Sequence, residues 1–332
     1  MPIIDGQVFI ATEATAGSEQ TPAATDLVEI ERGQAVFAVQ GQTDPIPRDL
    51  VRGYLDRPQA ATPEQRHWGL SFNTELKCTP DAPDSGDATT YPEIHALLRA
   101  SGMTMTGDAT TVEYEWTPFA GGTATSSTTV VLEQLGDSPN KFTSVGSNFS
   151  WTMNGPVGDR VMVSWSGMGG YAQPEALPSL STATSNEGIP FTRATDFSIG
   201  GYAPADGLIV RDWTLSSGIA ITPRPSAGST GRFAWPGVVG RDNAVSGTIV
   251  VEALTYASGK IWDRFTGATD PTDLTWTLGT GLGSNTRVVE FTIAAAVFGA
   301  PQPQQGMPNL WTIPFVGSSE ASDDSSLLIS FT

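Results

Sequence analysis

Residues 68–78 alternate between two kinds of side chain without interruption. Trp68, Leu70, Phe72, Thr74 and Leu76 fall on one side of an extended chain, and Gly69, Ser71, Asn73, Glu75 and Lys77 fall on the other. A period of two is the mark of a strand with one buried face, because a helix would scatter those apolar residues around its axis. Thr111–Trp116 repeats the pattern, with Val112, Tyr114 and Trp116 set against Glu113 and Glu115. The same reasoning predicts strands at Ala35–Val39, Thr128–Leu135, Phe149–Met153 and Val161–Trp165. In the second half it predicts Leu208–Leu215, Ser246–Leu254, Leu274–Leu278, Arg287–Val297, Leu310–Phe315 and Leu327–Phe331. The chain holds 36 Gly and 24 Pro in 332 residues, enough to turn between so many short strands. The expected fold class is all-β, that is, mainly β.

Two stretches depart from this pattern. In Tyr91–Gly102, Pro92 suits a first helical turn, Ile94, Leu97 and Leu98 are three and four apart, and Gly102 can end the helix. In Ser258–Gly267, Ile261 and Phe265 stand four apart and a glycine follows. The order strand, short helix, strands therefore occurs twice. Ser246–Gly267 echoes Trp68–Gly102, with an acidic insertion at Pro80–Thr90 in the first copy. The expectation is two related β-sandwich or barrel domains, each with a short flanking α-helix. Residues 1–26, small and polar after Phe9, read as an N-terminal arm or linker. A first domain covers 27–175, with the insertion near 80–90. Residues 176–190, in a stretch rich in Pro, Ser and Thr, form a linker, and a second domain covers 191–332. The 299–309 segment reads as a loop.

Charge narrows the function. The net charge is −18, with 9 basic and 22 acidic side chains in residues 1–175 and 8 and 13 in residues 176–332. No window is basic enough to condense on a phosphate backbone. A single cysteine, Cys78, rules out an intrachain disulfide, and no apolar run is long enough to span a bilayer. The first residues lack the basic start of a secretion signal, so a reducing cytoplasm is the expected place of maturation. The two histidines, His67 and His95, belong to no metal-ligand motif and read as structural or exposed. Ser164–Gly169 is not a nucleophile elbow, and no phosphate-binding glycine motif is present. Asp81, Asp84 and Asp87 lack the order and closing Glu of a calcium loop. Glu113 and Glu115 share one strand face but are as ordinary on a wall as in a site. Trp213, Trp235, Trp262, Trp276 and Trp311 read as core or interface anchors. No catalysis, cofactor or metal is expected.

The order of several pieces resembles the tail tube proteins of long, non-contractile phage tails. These pieces are Arg48–Leu55, Trp68–Leu76, Pro92–Met103, Thr111–Pro118, Lys141–Trp151 and Ser246–Glu252, and the likeness spans most of 27–300. The resemblance implies a tube domain whose flanking helix is 92–103 and whose sheets join neighbours edge to edge around a channel. It implies a structural subunit of the tail tube, in stacked rings that conduct DNA into the host cell. Single-domain members form six-membered rings, and two-domain members reach the same pseudo-sixfold ring with three chains. The duplication therefore points to a trimeric, pseudo-hexameric ring rather than a hexamer of the whole chain. Partners implied are copies of itself, the tape measure protein, and tail terminator and tail-tip proteins. Double-stranded DNA passes transiently, and no membrane insertion is involved. The implied location is the virion tail, after assembly in the host cytoplasm. The first candidate for ring-to-ring contact is the loop with Pro45, Pro47, Arg48, Asp49 and Arg52. The second is 77–92, with Asp81, Asp84 and Asp87. An excess of acidic over basic side chains on the channel wall would explain the charge, since the duplex would slide without sticking. The competing readings are a carbohydrate-binding or adhesion module and a tail or capsid decoration protein.

Overall fold

A computed structural model of the chain describes residues 6–32, 34, 36–40, 67–78, 91–116, 126–134, 139–156, 158–177, 179–183, 189–191, 193–219, 221–224, 234–238, 244–252, 271–279, 287–304, 309–318 and 327–332. The first half contains β1 (Gly6–Thr12), β2 (Leu27–Val28), β3 (Phe37–Gln40), β4 (His67–Glu75), β5 (Lys77–Cys78), α1 (His95–Ala100), β6 (Thr104–Gly107), β7 (Val112–Trp116), β8 (Thr128–Gln134), β9 (Asn140–Asn154) and β10 (Met162–Tyr171). Two short strands follow, β11 (Glu175–Ala176) and β12 (Ile189–Pro190). The second half contains β13 (Arg193–Ile199), β14 (Val210–Ser216), β15 (Ile221–Arg224), β16 (Ala234–Val238), β17 (Ser246–Glu252), β18 (Thr272–Gly279), β19 (Val288–Phe298), β20 (Gln302–Pro303), β21 (Leu310–Gly317) and β22 (Leu327–Phe331). The protein is mainly β, and every predicted strand is present, Leu327–Phe331 with its predicted ends and the others with shifted ends. The helix at 91–102 is present as α1, with Gly102 at φ +86° where the chain leaves it. The second predicted helix, 258–267, lies outside the described residues.

The alternation seen in sequence becomes burial. In β4, Trp68, Leu70, Phe72 and Thr74 are buried, and Ser71 is exposed between them. In β7, Val112, Tyr114 and Trp116 are buried. Two segments differ from the sequence reading. Residues 6–12, assigned there to an arm, form a strand paired with β8 along its whole length, from Gly6 with Gln134 to Thr12 with Thr128. The run Val8–Ala11 is buried, so this stretch orders on the chain's own sheet. Within the 299–309 loop, Gln302 and Pro303 pair with Thr312 and Trp311.

Hydrogen-bonded neighbours give the same strand order twice. In the first half it runs β1–β8–β9–β10–β4–β3. In the second it runs β13–β18–β19–β21–β17–β14. Every pairing is antiparallel, and the strands of each order enter the chain in the same sequence. β4 and β17, the two segments that echo one another in sequence, hold the same position. The orders meet where Thr214, Leu215 and Ser216 of β14 pair with Asn154, Met153 and Thr152 of β9. Ser217 N–H donates to the Trp151 carbonyl at 3.0 Å and Gly155 N–H to the Trp213 carbonyl at 3.0 Å, extending this seam at both ends. The last strand, β22, lies between β19 and β7, a second link between the halves. Among the described residues the pairings do not close into a barrel.

Candidate functional site

Groups with possible chemistry collect around α1. A cleft of about 510 Å³ lies between this helix and the stretch before β2, with Asp26, Tyr91, Glu93, His95 and Arg99 among its lining. His95 stacks on Tyr91, ring centres 4.2 Å apart, and its Nδ1 is 2.7 Å from the Tyr114 hydroxyl. Burial, with some help from the Arg99 charge, pushes its pKa down to about 3. The imidazole is therefore neutral at physiological pH and too weak a base to draw a proton from a nucleophile. Among the described residues, no group of three or more His, Cys, Asp or Glu side chains is placed to hold a metal ion. Cys78 is buried.

Glu93 has the opposite perturbation. Burial raises its pKa to about 7, against the lowering effects of the Glu29 backbone N–H and the Lys77 charge. Lys77 itself is ion-paired with Glu29. A carboxyl with a raised folded pKa binds more protons in the native state, so its contribution to stability falls as pH rises from about 4.5 through 7. A histidine with a lowered folded pKa makes stability fall as pH drops from about 6.5 towards 3. The two slopes oppose each other where the ranges overlap, from about pH 4.5 to 6.5. Glu93→Gln is expected to remove the carboxyl's loss, so its advantage over the parent should grow from about pH 4.5 to pH 7 and level off above that in denaturant titrations. A constant difference would show that Glu93 is not the titrating group.

Strand edges and one sheet face offer more than this cleft. The long sheet β3–β4–β10–β9–β14–β17–β21–β20 crosses the seam without a break. One face packs into the core through Phe72, Trp165, Trp151, Met153, Leu215, Ile249, Ile313 and Phe315. On the other face, one cross-strand row reads Asn73, Ser164, Thr152, Ser216, Ser246, Val316, Val297. The next row reads Glu75, Met162, Asn154, Thr214, Thr248, Pro314. Eight of these thirteen positions are Ser, Thr or Asn and none is Lys or Arg; their single charge is Glu75, which is ion-paired with Arg160. Its hydroxyls bond locally: Thr214 Oγ1 lies 2.8 Å from Thr248 Oγ1, and Ser150 Oγ donates to the Ser166 carbonyl at 3.1 Å. Acid borders these rows at Asp212 and at Glu252, which is ion-paired with Arg211, and is also found at Glu290, Glu113 and Glu115 on the outer sides of β19 and β7 around β22.

A comparison with protein families decides what such a sheet belongs to: the model described as phage tail tube protein matches residues 4–317. The chain belongs to the phage tail tube protein family. The match takes in every strand of both six-strand orders, β1 included, and ends at Gly317, the last residue of β21. No curated protein matches the chain. As a tail tube protein it is a structural, non-catalytic component of the virion, which associates with copies of itself and with other tail components. That role agrees with a histidine and a carboxyl whose perturbed pKa values arise mainly from burial. The ring-contact residues named from sequence, Pro45, Pro47, Arg48, Asp49, Arg52, Asp81, Asp84 and Asp87, all lie outside the described residues. Sequence reasoning missed the seam on β9 and β14, a pairing between segments far apart in the chain. Of the tryptophans singled out, Trp213 and Trp276 are core residues, and Trp311 is half-buried.

Proposed function

We propose that this tail tube protein builds a ring from three chains, and that stacked rings enclose the channel through which DNA enters the host cell. Each six-strand order is one tube domain of sandwich type with its flanking helix, the first taking in β1 and the second beginning near residue 191. The observation that carries this reading is the seam. The edge strand of the second order, β14, lies on β9 of the first. The matching edge strand of the first order is β3, and no described strand covers its outer edge. Repeating the same contact between chains sets β3 of one copy against the β19–β20 end of the next. That contact is head-to-tail, and such a contact closes into a ring when its rotation permits. With two domains per chain, three chains give six domain positions, and closure removes the free edges that would otherwise pair at random.

Stacking would use the 44–55 loop, with Arg48 and Arg52, and the acidic 77–92 segment. The tape measure protein in the bore, and the terminator and tip proteins at the ends, complete the assembly, which forms in the host cytoplasm. Electron micrographs of the purified chain should show rings or tubes of three chains per ring. Six chains per ring would remove the trimeric reading, and a monomer at high concentration would remove the tube.

The β3 edge allows a sharper test. Ser71 N–H donates to the Val36 carbonyl, which makes 36, 38 and 40 the positions bonded to β4 and leaves the backbone groups of 37 and 39 facing outward. Val39→Pro would remove one outward donor while sparing every bond to β4. The expected result is a folded subunit, with unchanged aromatic circular dichroism, that forms no rings. Rings at wild-type yield would show that β3 is not the joining edge.

A further inference from the structure

We infer that the gap between β7 and β19 is a strand-binding slot, that its ligand is the chain's own C-terminal strand, β22, and that this clasp sets the angle between the two halves. The joint between neighbouring chains lacks the clasp, a consequence that rests on the ring reading above. Residues 318–332 lie beyond the part of the chain matched by the tail tube family, 4–317, so the clasp is no part of what the family model describes.

Both edges of the slot hold β22. The strand pairs with β7 from Leu327 with Trp116 to Phe331 with Val112, and with β19 from Leu328 with Thr292 to Phe331 with Val289, antiparallel to both. Thr332 and Val288 exchange both backbone bonds, at 2.9 and 3.1 Å. Leu327, Ile329 and Phe331 are fully buried, as are Val112, Tyr114, Val289 and Phe291, the cross-strand partners of the last two. Phe331 meets the Tyr114 ring of the first half at 5.8 Å and the Phe191 ring at 6.2 Å. Phe191 is itself fastened to the first half, its N–H donating to the Leu76 carbonyl at 3.2 Å. The ligand this slot fits is thus an extended segment with large apolar side chains at alternate positions, bonded through its backbone on both sides.

Domains that meet over a small interface move relative to one another by default. The seam is a single line of pairing, residues 214–216 with 152–154, and one line acts as a hinge. β22 adds a second line in another layer. Trp151, on the core face of β9, donates its Nε1–H to Ser101 Oγ, just after α1, at 3.2 Å. His95 of α1 lies 2.7 Å from the Tyr114 hydroxyl of β7. The helix, β7 and β22 therefore stand behind the long sheet. Two lines of contact, one in front and one behind, leave the halves one angle. That angle decides whether a head-to-tail contact closes into a ring.

The repeat shows where the clasp is missing. β11 follows β10 along one edge of β9 as β22 follows β21 along one edge of β19. At the joint between two chains, β11 of the second chain would therefore stand where β22 stands here. No counterpart of β7 is available to meet it. β7 comes from residues 76–127, between β4 and β8, whereas the equivalent strands β17 and β18 are separated by residues 253–271. That stretch is shorter than residues 95–116 alone, the span of α1, β6 and β7. β11 itself is short and exposed, and no described strand pairs with its outer edge. A ring of three chains would alternate clasped joints with joints held by the long sheet alone.

The test compares the parent with a chain ended at Gly317. By alternation from the Thr332–Val288 pair, the N–H groups of Glu290 and Tyr114 face β22. Without the strand these amides should exchange about tenfold or more faster, while those of the seam stay protected. The shortened chain should form rings with varying numbers of chains, and a synthetic peptide of residues 327–332 should restore both protection and the three-chain ring. Rings of three at parent yield without the strand would overturn the clasp. Loss of protection throughout would make β22 an ordinary core strand and overturn it too. A second variant leaves the strand in place, on a chain whose own Cys78 is buried. Ser330 and Glu113 form a non-hydrogen-bonded pair, the close kind that suits a disulfide. Glu113→Cys with Ser330→Cys should cross-link within one chain on oxidation and still give rings at parent yield. A cross-link between chains would show a strand donated to a neighbour, and no cross-link would show an empty slot; both overturn the inference. In the parent, the Leu177 N–H donates to the Pro139 carbonyl, so the Ala176 N–H faces away from β9. Its exchange should not slow when rings form; slowing would mean that a neighbour's strand covers β11, and the unclasped joint would be wrong. Absence of rings from the parent would overturn the ring reading alone, because the exchange and cross-linking at β22 are read on the single chain.

Discussion

Trp276→Ala should lower the unfolding free energy by about 3–5 kcal/mol, the usual cost of emptying a large aromatic site in a close-packed core. Trp276 is 1% exposed and stacks on Phe291 at 4.9 Å and on Phe197 at 5.5 Å, with Trp213 at 5.2 Å. It is the hub of the second half's aromatic core, and its loss removes three ring contacts at once. The effect should reach the seam, because Trp213 is also packed against Gly155. A Cβ at 155 would sit 2.3 Å from the Trp213 ring, so no larger residue fits there unless that ring moves. Denaturant titration should therefore show a lower midpoint, and the near-ultraviolet dichroism of Trp213 should change with it. Domain stabilities are about 5–15 kcal/mol, so the variant would fold but with little reserve. A loss under about 1 kcal/mol would mean that the cluster collapses to fill the site.

How much of this could be read in advance follows from how each element is stabilised. β4 and β7 were legible because one face of each is buried and the other is not, so the period of two survives in the sequence. α1 was legible from Pro92, the spacing of Ile94, Leu97 and Leu98, and Gly102, although only His95–Ala100 is regular helix. β1 was missed because Gly6–Thr12 has no alternation: Val8, Phe9, Ile10 and Ala11 are all buried, and the polar residues that follow gave the stretch the look of a tail. The repeat could be suspected from Ser246–Gly267, but the strand orders that define it depend on pairings between distant segments, which carry no local signal. For the same reason the seam and the hydroxyl-rich rows were invisible. Thr152, Thr214 and Thr248 are unremarkable one by one and become a surface only when three strands are set side by side.

The largest effect from a polar residue is expected at Glu13, which lies in the stretch read from sequence as an N-terminal arm or linker. It is 6% exposed. Its Oε1 accepts the Gly146 N–H at 2.7 Å and the Thr129 hydroxyl at 2.9 Å. Its Oε2 accepts the Gly17 N–H at 2.7 Å and the Ser127 hydroxyl. The demand for this carboxylate comes from the backbone. Gly146 is at φ +66°, beside the register shift between β8 and β9 at Thr128 and Val130, so its N–H has left the ladder and needs another acceptor. Gly17, at φ +80°, turns the chain back after β1 in the same way. Glu13→Ala would take the acceptor from three buried donors, on Ser127, Thr129 and Gly146, and from the more exposed Gly17 N–H; at about 1–3 kcal/mol for each buried group left unpaired, the loss should exceed about 3 kcal/mol. Glu13→Gln should cost less, since one carbonyl oxygen remains, but its amide group would face donors where the carboxylate faced them with an acceptor. Thr129→Ala, which removes one donor and leaves the carboxylate its other three, should cost only about 1 kcal/mol. Denaturant midpoints in the order parent, Thr129→Ala, Glu13→Gln, Glu13→Ala would establish Glu13 as the acceptor that fastens the β1 turn to the bulge on β9. If Glu13→Ala lay within about 1 kcal/mol of the parent, those N–H groups would be satisfied by water, and the loop would not depend on the carboxylate.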